Sequence, residues 1–271
     1  MRRKGMGVLI ISGLLALLVA PAGAQRYGYD EDLEGMRPRA YVPPFYRFSV
    51  GIETELTSRD VEEDQFTAGG LPIPKTVGSA DMTRVLARVG FSPIDNLEIY
   101  GVVGGSTLQV DAFDGYNASM GGAYGGGVHW IFYEAPTFSG PVDLFVDYRF
   151  LRFRTKDQII FQPFDDFGNA LAPGQAVDET ITWNEHRLKL GVSGRHYIFE
   201  PYGGVRFSIV RAKDHLPLPG QDTTLNVREN DIFGLFLGTN IYLPRADRVL
   251  FFIEGDVLDE NALALGVRMR F

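Results

Sequence analysis

The chain has 271 residues and no cysteine, which excludes both disulfide bridges and metal sites built on thiolates. Positive charge is not in excess either. The formal net charge is −8, so a basic nucleic-acid-binding surface is not supported. After residue 24, no stretch is apolar for long enough to form a transmembrane helix. What remains is one apolar run near the N-terminus and an alternating pattern that fills the rest of the chain.

The N-terminus has the three parts of a secretory signal peptide. A basic region at 2–4 precedes an apolar run, and Ala22-Gly23-Ala24 supplies the small residues of a cleavage site. The sequence therefore predicts a signal peptide over 1–24, with cleavage before Gln25. The alternative is a membrane-anchoring helix, for which the run is short. Removing this segment and its three cations leaves 247 residues with a net charge of −11, enough for one domain.

The mature chain divides into a short lead-in and one repetitive domain. Residues 25–43 are polar and lack a sustained period, so we expect a periplasmic lead-in. Residues 44–271 alternate apolar and polar residues with the two-residue period of a β-strand. The alternating segments are 45–56, 83–91, 97–109, 118–133, 142–153, 180–194, 202–210, 232–243, 249–258 and 262–271. This pattern predicts an all-β domain over 44–271, an antiparallel up-and-down barrel of about ten strands, with eight or twelve possible.

The sixth of these segments does not keep a single phase. Leu188, Leu190 and Val192 share one face, whereas Ile181 and Trp183 fall on the other. A β-bulge near Asn184 would bring the two sets onto one face. The alternative is that Ile181 and Trp183 belong to a loop.

The connections between segments support a membrane barrel. Connections after even-numbered segments are short and contain Pro, Asn or Asp, whereas 57–82, 154–179 and 212–230 are long. Bacterial outer-membrane barrels have short periplasmic turns and long external loops. A soluble sandwich or lipocalin-like barrel also alternates, but its apolar face points inward. Charges opposite the apolar face of many segments favour a transmembrane barrel with lipid outside and a polar lumen.

Charged residues on the inward phase form a predicted lumen charge network. We expect Arg268 and Arg270 to lie between Glu53 and the acids of the ninth segment. The two arginines of the second segment should lie near Glu53 and near the acid of the third segment. The acids of the fifth segment should lie near the cations of the sixth. Such charges must be paired or hydrated. The network suggests a lumen plugged by ion pairs, and the alternative is a narrow charge-lined pore. Its members are Glu53, Arg84, Arg88, Glu98, Asp143, Asp147, Arg187, Lys189, Glu254, Asp256, Arg268 and Arg270.

Signals for catalysis are weak. None of the four histidines lies in a metal-binding spacing such as HExxH. Glu185 and His186 are adjacent, so on a strand they point to opposite faces. The combination of paired aspartates with Asp-x-His that omptin proteases have is absent, and so is the His-x-Ser-Asn pattern of lipid-A deacylases. We therefore expect no enzyme activity, no metal site and no cofactor.

Three segments resemble small bacterial outer-membrane barrels of the OmpA-like, or general outer-membrane β-barrel domain, type. They are Ala22-Gly23-Ala24, the turn-bearing hairpin at 89–100, and the terminal Val267-Arg268-Met269-Arg270-Phe271. The resemblance covers 45–271. It implies residence in the Gram-negative outer membrane and contact with outer-membrane lipids and lipopolysaccharide. It also implies periplasmic chaperones as partners and insertion by the barrel assembly machinery, which in that family reads the terminal aromatic strand, here Val267, Met269 and Phe271.

These observations predict an integral outer-membrane barrel with a plugged lumen and a structural or surface-interaction role. A narrow porin-like channel for small solutes is the second hypothesis, and an outer-membrane hydrolase is the third. The sequence indicates no nucleic-acid partner, and it does not identify a ligand for the external loops.

Overall fold

The fold is described from a computed structural model. The residues it describes are 47–63, 67–68, 71–72, 77–111, 116–137, 140–161, 175–218, 221–229, 231–243 and 246–271. The predicted signal peptide and lead-in lie outside these ranges. Within the ranges, regular structure consists of strands alone, and no helix is long and apolar enough to cross a membrane.

The strands follow the alternating segments of the sequence, and most extend beyond them. In chain order they are β1 (Phe48–Glu63), β2 (Thr67–Ala68), β3 (Leu71–Pro72), β4 (Val77–Ile94), β5 (Leu97–Val110), β6 (Tyr116–Thr137), β7 (Gly140–Phe161), β8 (Gln175–Gly194), β9 (Phe199–Leu218), β10 (Gln221–Glu229), β11 (Phe233–Leu243), β12 (Ala246–Val257) and β13 (Glu260–Arg270). β2 and β3 form a separate small hairpin, and the others belong to one sheet.

Ten of these strands close into an antiparallel barrel. β1, β4 to β9 and β11 to β13 each pair with their neighbours along the chain, and β1 also pairs with β13. At the seam, Phe48 and Phe271 exchange two backbone hydrogen bonds of 2.9 Å. The predicted all-β, up-and-down barrel is therefore confirmed, with ten strands rather than eight or twelve.

Exposed apolar side chains surround the half of the barrel that carries the short turns. We call this set the apolar belt, and in it Val89, Val103 and Ile52 are 61%, 62% and 57% exposed. Because side chains alternate across a strand, the residues between them point into the barrel. The belt consists of Phe48, Ile52, Leu56, Val85, Val89, Phe91, Ile99, Val103, Tyr124, Trp130, Phe132, Leu144, Tyr148, Leu190, Val192, Phe207, Ile209, Leu235, Phe251, Leu265 and Met269.

Above the belt, the phase of the pattern inverts. On β8, Leu190 and Val192 face outward, whereas Ile181 and Trp183 are 1% and 0% exposed and face the lumen. β8 pairs with β7 and β9 in an unbroken register through Asn184. The expected bulge or loop is therefore wrong, because the interior itself changes from charged to apolar along a continuous strand.

Strands also occupy much of the predicted long loops. The connection expected over 154–179 contains the ends of β7 and β8, and 212–230 contains the end of β9 and all of β10. β10 pairs with β9 along most of its length and with β1 through Val61↔Glu229 to Glu63↔Val227. It thereby closes the wall above the short strands β11 to β13. The barrel has ten strands at the belt and eight above it.

The turn between β12 and β13 contains a backbone conformation that suits glycine. Leu258 has a φ of 87°, in the left-handed region that residues with a Cβ rarely adopt. Its side chain is 64% exposed, so little packing compensates for the strain.

We predict that Leu258→Gly increases the free energy of unfolding by about 1 kcal/mol, because glycine adopts this φ without strain. Urea unfolding of the refolded barrel in detergent micelles measures the change. Leu258→Ala is the matched control, since it removes the same exposed side chain but keeps the Cβ. An equal gain from alanine would contradict the conformational explanation.

Candidate functional site in the barrel lumen

Two buried carboxylates form the centre of the lumen. Glu55 of β1 and Glu185 of β8 are 2% and 1% exposed. Arg187 contacts both, at 2.8 Å from Glu55 and 2.6 Å from Glu185. Arg84 lies 2.6 Å from Glu185 and 3.4 Å from Glu55, and Arg149 lies 2.6 Å from Glu55. Arginines from β4, β7 and β8 therefore converge on carboxylates from β1 and β8.

The turn and start of the last hairpin supply a second group of acids. Asp259 and Glu260 are almost fully buried, and both bind the guanidinium of Arg206. Arg206 also lies 3.0 Å from Asp256. Arg59 of β1, which lies opposite Glu260 in the register of β1 and β13, also binds Glu260. The hairpin is short enough for its acids to bend inward beneath the part of the wall that β10 closes. We call these ten residues of the two groups the central ion-pair cluster.

The short-turn end of the lumen contains a smaller ion-pair group. Glu98 accepts hydrogen bonds from Arg88 at 2.7 Å and from the hydroxyl of Ser49 at 2.5 Å. Arg268 approaches the same carboxylate at 3.6 Å. The guanidinium of Arg88 also stacks 3.4 Å from the ring centroid of Tyr100.

Asp147 is held by two neutral or weakly basic groups. The hydroxyl of Tyr100 donates to it at 3.1 Å, and the Nδ1 atom of His129 lies 3.3 Å away. Gly127 lies opposite Tyr100 in the register, and a Cβ at this glycine would lie 2.5 Å from the tyrosine ring. The glycine therefore leaves space for the Tyr100 ring, which lies over β6 and reaches Asp147 on β7.

Apolar side chains fill the lumen above the ion pairs. Phe153 and Trp183 stack with centroids 5.7 Å apart, and both are fully buried. Arg84 lies over Phe153 at 5.4 Å and Arg59 over Trp183 at 5.9 Å, so cations connect the two layers. We call this apolar set the apolar plug. It comprises Val61, Ala80, Met82, Leu108, Val110, Tyr116, Ala118, Ala123, Leu151, Phe153, Ile181, Trp183, Val210, Ala212 and Val227, and the same buried apolar cluster continues toward the short turns through Leu86, Tyr100 and Val102.

Glu229, at the end of β10, lies above the apolar belt. Burial raises the pKa of the Glu229 carboxyl, while Arg59, 3.0 Å away, acts in the opposite direction. The hydroxyl of Ser208 donates a further hydrogen bond to Glu229 at 3.0 Å. This carboxylate links β10 to β1 and β9 from the inside of the wall.

Several residues of the predicted network have other ion-pair partners than the sequence led us to expect. Asp143 lies opposite Ser193 in the register, and neither Arg187 nor Lys189 pairs with it. Lys189 instead binds Glu254 and lies 3.6 Å from Asp256. The expected pairing of Asp143 was wrong because antiparallel register places the cations nearer the centre of the barrel.

The two arginines of β13 also differ from the expectation. Arg268 lies opposite Leu250, well below Glu254 and Asp256 on the same neighbouring strand. Its carboxylate partner is Glu98, and Arg270 makes no ion pair with any carboxylate in the described ranges. In a hairpin, a residue far from the turn pairs only with a residue equally far from the turn. The expectation matched strands without regard to this distance from the turn, so it placed Arg268 beside acids that lie at a different height in the barrel.

Sequence reasoning left several strong contributors out of the predicted network. Glu55 and Glu185 continue the inward phase of predicted members, so alternation could have identified them. Asp259 and Glu260 were assigned to a turn, and no periodic signal marks them as buried. The residues left out are Glu55, Arg59, Arg149, Glu185, Arg206, Glu229, Asp259 and Glu260.

The geometry offers ion pairing more readily than ligand chemistry. Among the described residues, no group of three or more His, Asp or Glu side chains is arranged to hold a metal ion. His186 lies on the outer wall, where its Nδ1 is 2.8 Å from the hydroxyl of Tyr148. The carboxylates of the central ion-pair cluster already contact arginines.

Three solved outer-membrane structures are similar to this chain, and the one with a TM-score of 0.50 supports the fold. The outer membrane protease OmpT from Escherichia coli matches with a TM-score of 0.50 and 10% identity, covering 83% of this chain and 97% of OmpT. The translocator domain of the autotransporter NalP from Neisseria meningitidis matches with a TM-score of 0.43 and 8% identity, covering 86% and 91%. The outer membrane protein AlkL matches with a TM-score of 0.39 and 12% identity, covering 84% and 93%. No family model and no curated protein matches, so the OmpA-like resemblance stays a prediction.

We predict that Glu185→Gln lowers the free energy of unfolding by about 3 kcal/mol, because it leaves buried guanidinium groups without their shared countercharge. Urea unfolding in detergent measures the loss. Asp81→Asn, at an exposed outward carboxylate, is the control and should stay within about 0.5 kcal/mol of the unmodified protein.

The double variant Arg84→Met with Glu185→Leu provides a sharper comparison. It removes one cation together with one anion, so part of the loss should be recovered. A loss from Glu185→Gln no larger than that of the control would contradict the central position of this carboxylate.

Proposed function

We propose that this chain is an integral protein of the bacterial outer membrane, exported with cleavage of residues 1–24. The apolar belt supports this proposal. A closed barrel leaves no unpaired sheet edge, which is what a β-structure needs in order to span lipid. A continuous ring of exposed apolar side chains would be unfavourable in water, whereas acyl chains solvate it.

We further propose that the lumen is sealed and that the protein has a structural or surface-interaction role. The observation that carries this is the filling of the interior by two consecutive layers. The central ion-pair cluster contains Arg84 and Arg206 at 0% exposure, and the apolar plug contains Phe153 and Trp183 at 0%. In the part of the chain that the structure describes, both layers place fully buried side chains where hydrated solutes would have to pass. The proposal includes no enzyme activity and no cofactor, since the carboxylates of the central ion-pair cluster are occupied by arginines.

We predict that the refolded protein shows no stable conductance steps in planar lipid bilayers, because both layers exclude water and ions. Stable, uniform steps from the unmodified protein would overturn the sealed lumen and favour the narrow channel.

A variant designed to open the lumen tests the same point in the other direction. Replacing Phe153, Trp183, Arg84 and Glu185 by alanine removes one bridge between the layers and should produce steps. The matched control is Trp130→Ala with Phe132→Ala, which removes two exposed belt aromatics and should stay silent.

We also propose that Val267, Met269 and Phe271 form the signal read by the barrel assembly machinery and its chaperones. Phe271 is half exposed, and its backbone completes the seam with Phe48. We predict that deleting Phe271 lowers the amount of heat-modifiable barrel in the outer membrane, while the purified, refolded variant unfolds nearly as the full-length chain does. Phe271→Tyr retains the aromatic ring and serves as control. Normal outer-membrane levels of the deletion variant would refute the signal.

A further inference from the structure

Five cations form a compact patch on the outer wall, above the apolar belt. We call Arg152, Arg154 and Lys156 of β7 with Arg211 and Lys213 of β9 the cationic patch. All five are exposed, and their alternation with buried residues shows that they face away from the lumen. Within the described part of the chain, none of the five forms an ion pair with a carboxylate. They are therefore available to an external anion.

The strand register arranges these cations in rows. Asn184 of β8 lies between Arg152 and Arg211. One row higher, Thr182 lies between Arg154 and Lys213 in the same way. Neighbouring strands are about 4.8 Å apart, so each row places two cations about 10 Å apart on either side of a neutral hydrogen-bonding side chain. This arrangement suits several oxyanions on one molecule.

The position of the patch relative to the belt identifies the surroundings of that anion. The row directly below consists of Phe150, His186 and Ile209, of which Ile209 is 50% exposed. Acyl chains that cover these residues would place the headgroup of the same lipid at the height of the cations. The patch lies beyond the belt on the side of the long connections, which is the external side of the proposed orientation.

The patch is confined to one side of the barrel. On the opposite wall, β4 carries Asp81 and Thr83 outward above the belt, and β5 carries Thr107 and Gln109. These residues are neutral or acidic. Exposed cations above the belt thus gather on β7, β9 and the adjoining β10, where Arg228 lies opposite Arg211, and general solvation of the external half would not require this grouping.

We propose that the cationic patch binds the phosphate groups of the phosphorylated glycolipid of the outer leaflet, the lipopolysaccharide class. Arginine and lysine donate charge-assisted hydrogen bonds to phosphate oxygens, while Phe150 and Ile209 contact the acyl chains of the same molecule. This inference rests on the proposed membrane location. It adds a lipid-binding site to a barrel whose lumen is filled.

The test measures binding of diphosphorylated lipid A to the purified, refolded protein in detergent by native mass spectrometry. We expect bound lipid with the unmodified protein and about tenfold weaker binding after Arg152, Arg154, Arg211 and Lys213 are all replaced by glutamine. Lipid A without phosphates should bind the unmodified protein as weakly as the diphosphorylated lipid binds the variant. A soluble excess of inorganic pyrophosphate should not displace the lipid, because it lacks acyl chains.

Arg47→Gln with Arg248→Gln is the charge control, since both residues are exposed at the short-turn end, and it should bind like the unmodified protein. Heat-modifiable migration of every variant shows separately whether the barrel has folded. Should the fourfold variant not fold, Arg154→Gln with Lys213→Gln gives the same comparison for one row.

Equal binding by a folded patch variant, equal binding of the dephosphorylated lipid, or full displacement by pyrophosphate would each overturn the lipid-phosphate site. None of these results bears on the membrane location, which is decided separately by whether the unmodified protein is recovered in the outer-membrane fraction of the cell.

Discussion

Pairing of buried charge is the constraint on which the structure depends. A ten-stranded barrel encloses a space narrow enough for side chains to fill, and here many of those side chains are ionised. Glu55 and Glu185 resolve the conflict, because each is shared among arginines from several strands. An uncompensated buried charge is costly, so these residues depend on one another. The same interdependence ties opposite walls together and fills the interior.

Much of the fold could be predicted from the sequence because the lower half of the barrel follows one simple rule. There, apolar residues face outward and charged residues face inward, so the alternation of Leu190 and Val192 with polar or small residues indicates a strand whose outer face contacts lipid. Above the belt the rule reverses, and Ile181 and Trp183 lie in an apolar interior. A change of phase in the apolar pattern therefore looks like the end of a strand, although the strand continues. This is why the ends of β7, β8 and β9 and all of β10 were assigned to loops.

The candidate site was less predictable, for a reason of distance along the chain. Alternation identifies which residues face the lumen, and Arg88 and Glu98 lie on adjacent strands 2.7 Å apart. It does not give the height of a residue or its partner across the barrel. Arg149 and Glu55, 2.6 Å apart, belong to strands that are not neighbours. Closure of the barrel creates such contacts across the lumen, and the pattern of neighbouring residues in the chain does not predict which residues they join.

A filled interior shifts the search for function to the outer surface. If ion pairs and the apolar plug occupy the lumen, a partner meets the protein at its wall or external end. The outer surface of the belt is uniformly apolar, so it gives no specificity for one partner over another. The chemical character of the wall differs from strand to strand only above the belt. There, β7 and β9 carry cations while β4 and β5 do not. This asymmetry gives the barrel one preferred side toward anionic headgroups. The phase inversion makes the outer wall polar at this height, because strands that bury apolar residues inside present polar residues outside, and the cations of β7 and β9 then distinguish one side of that wall from the other.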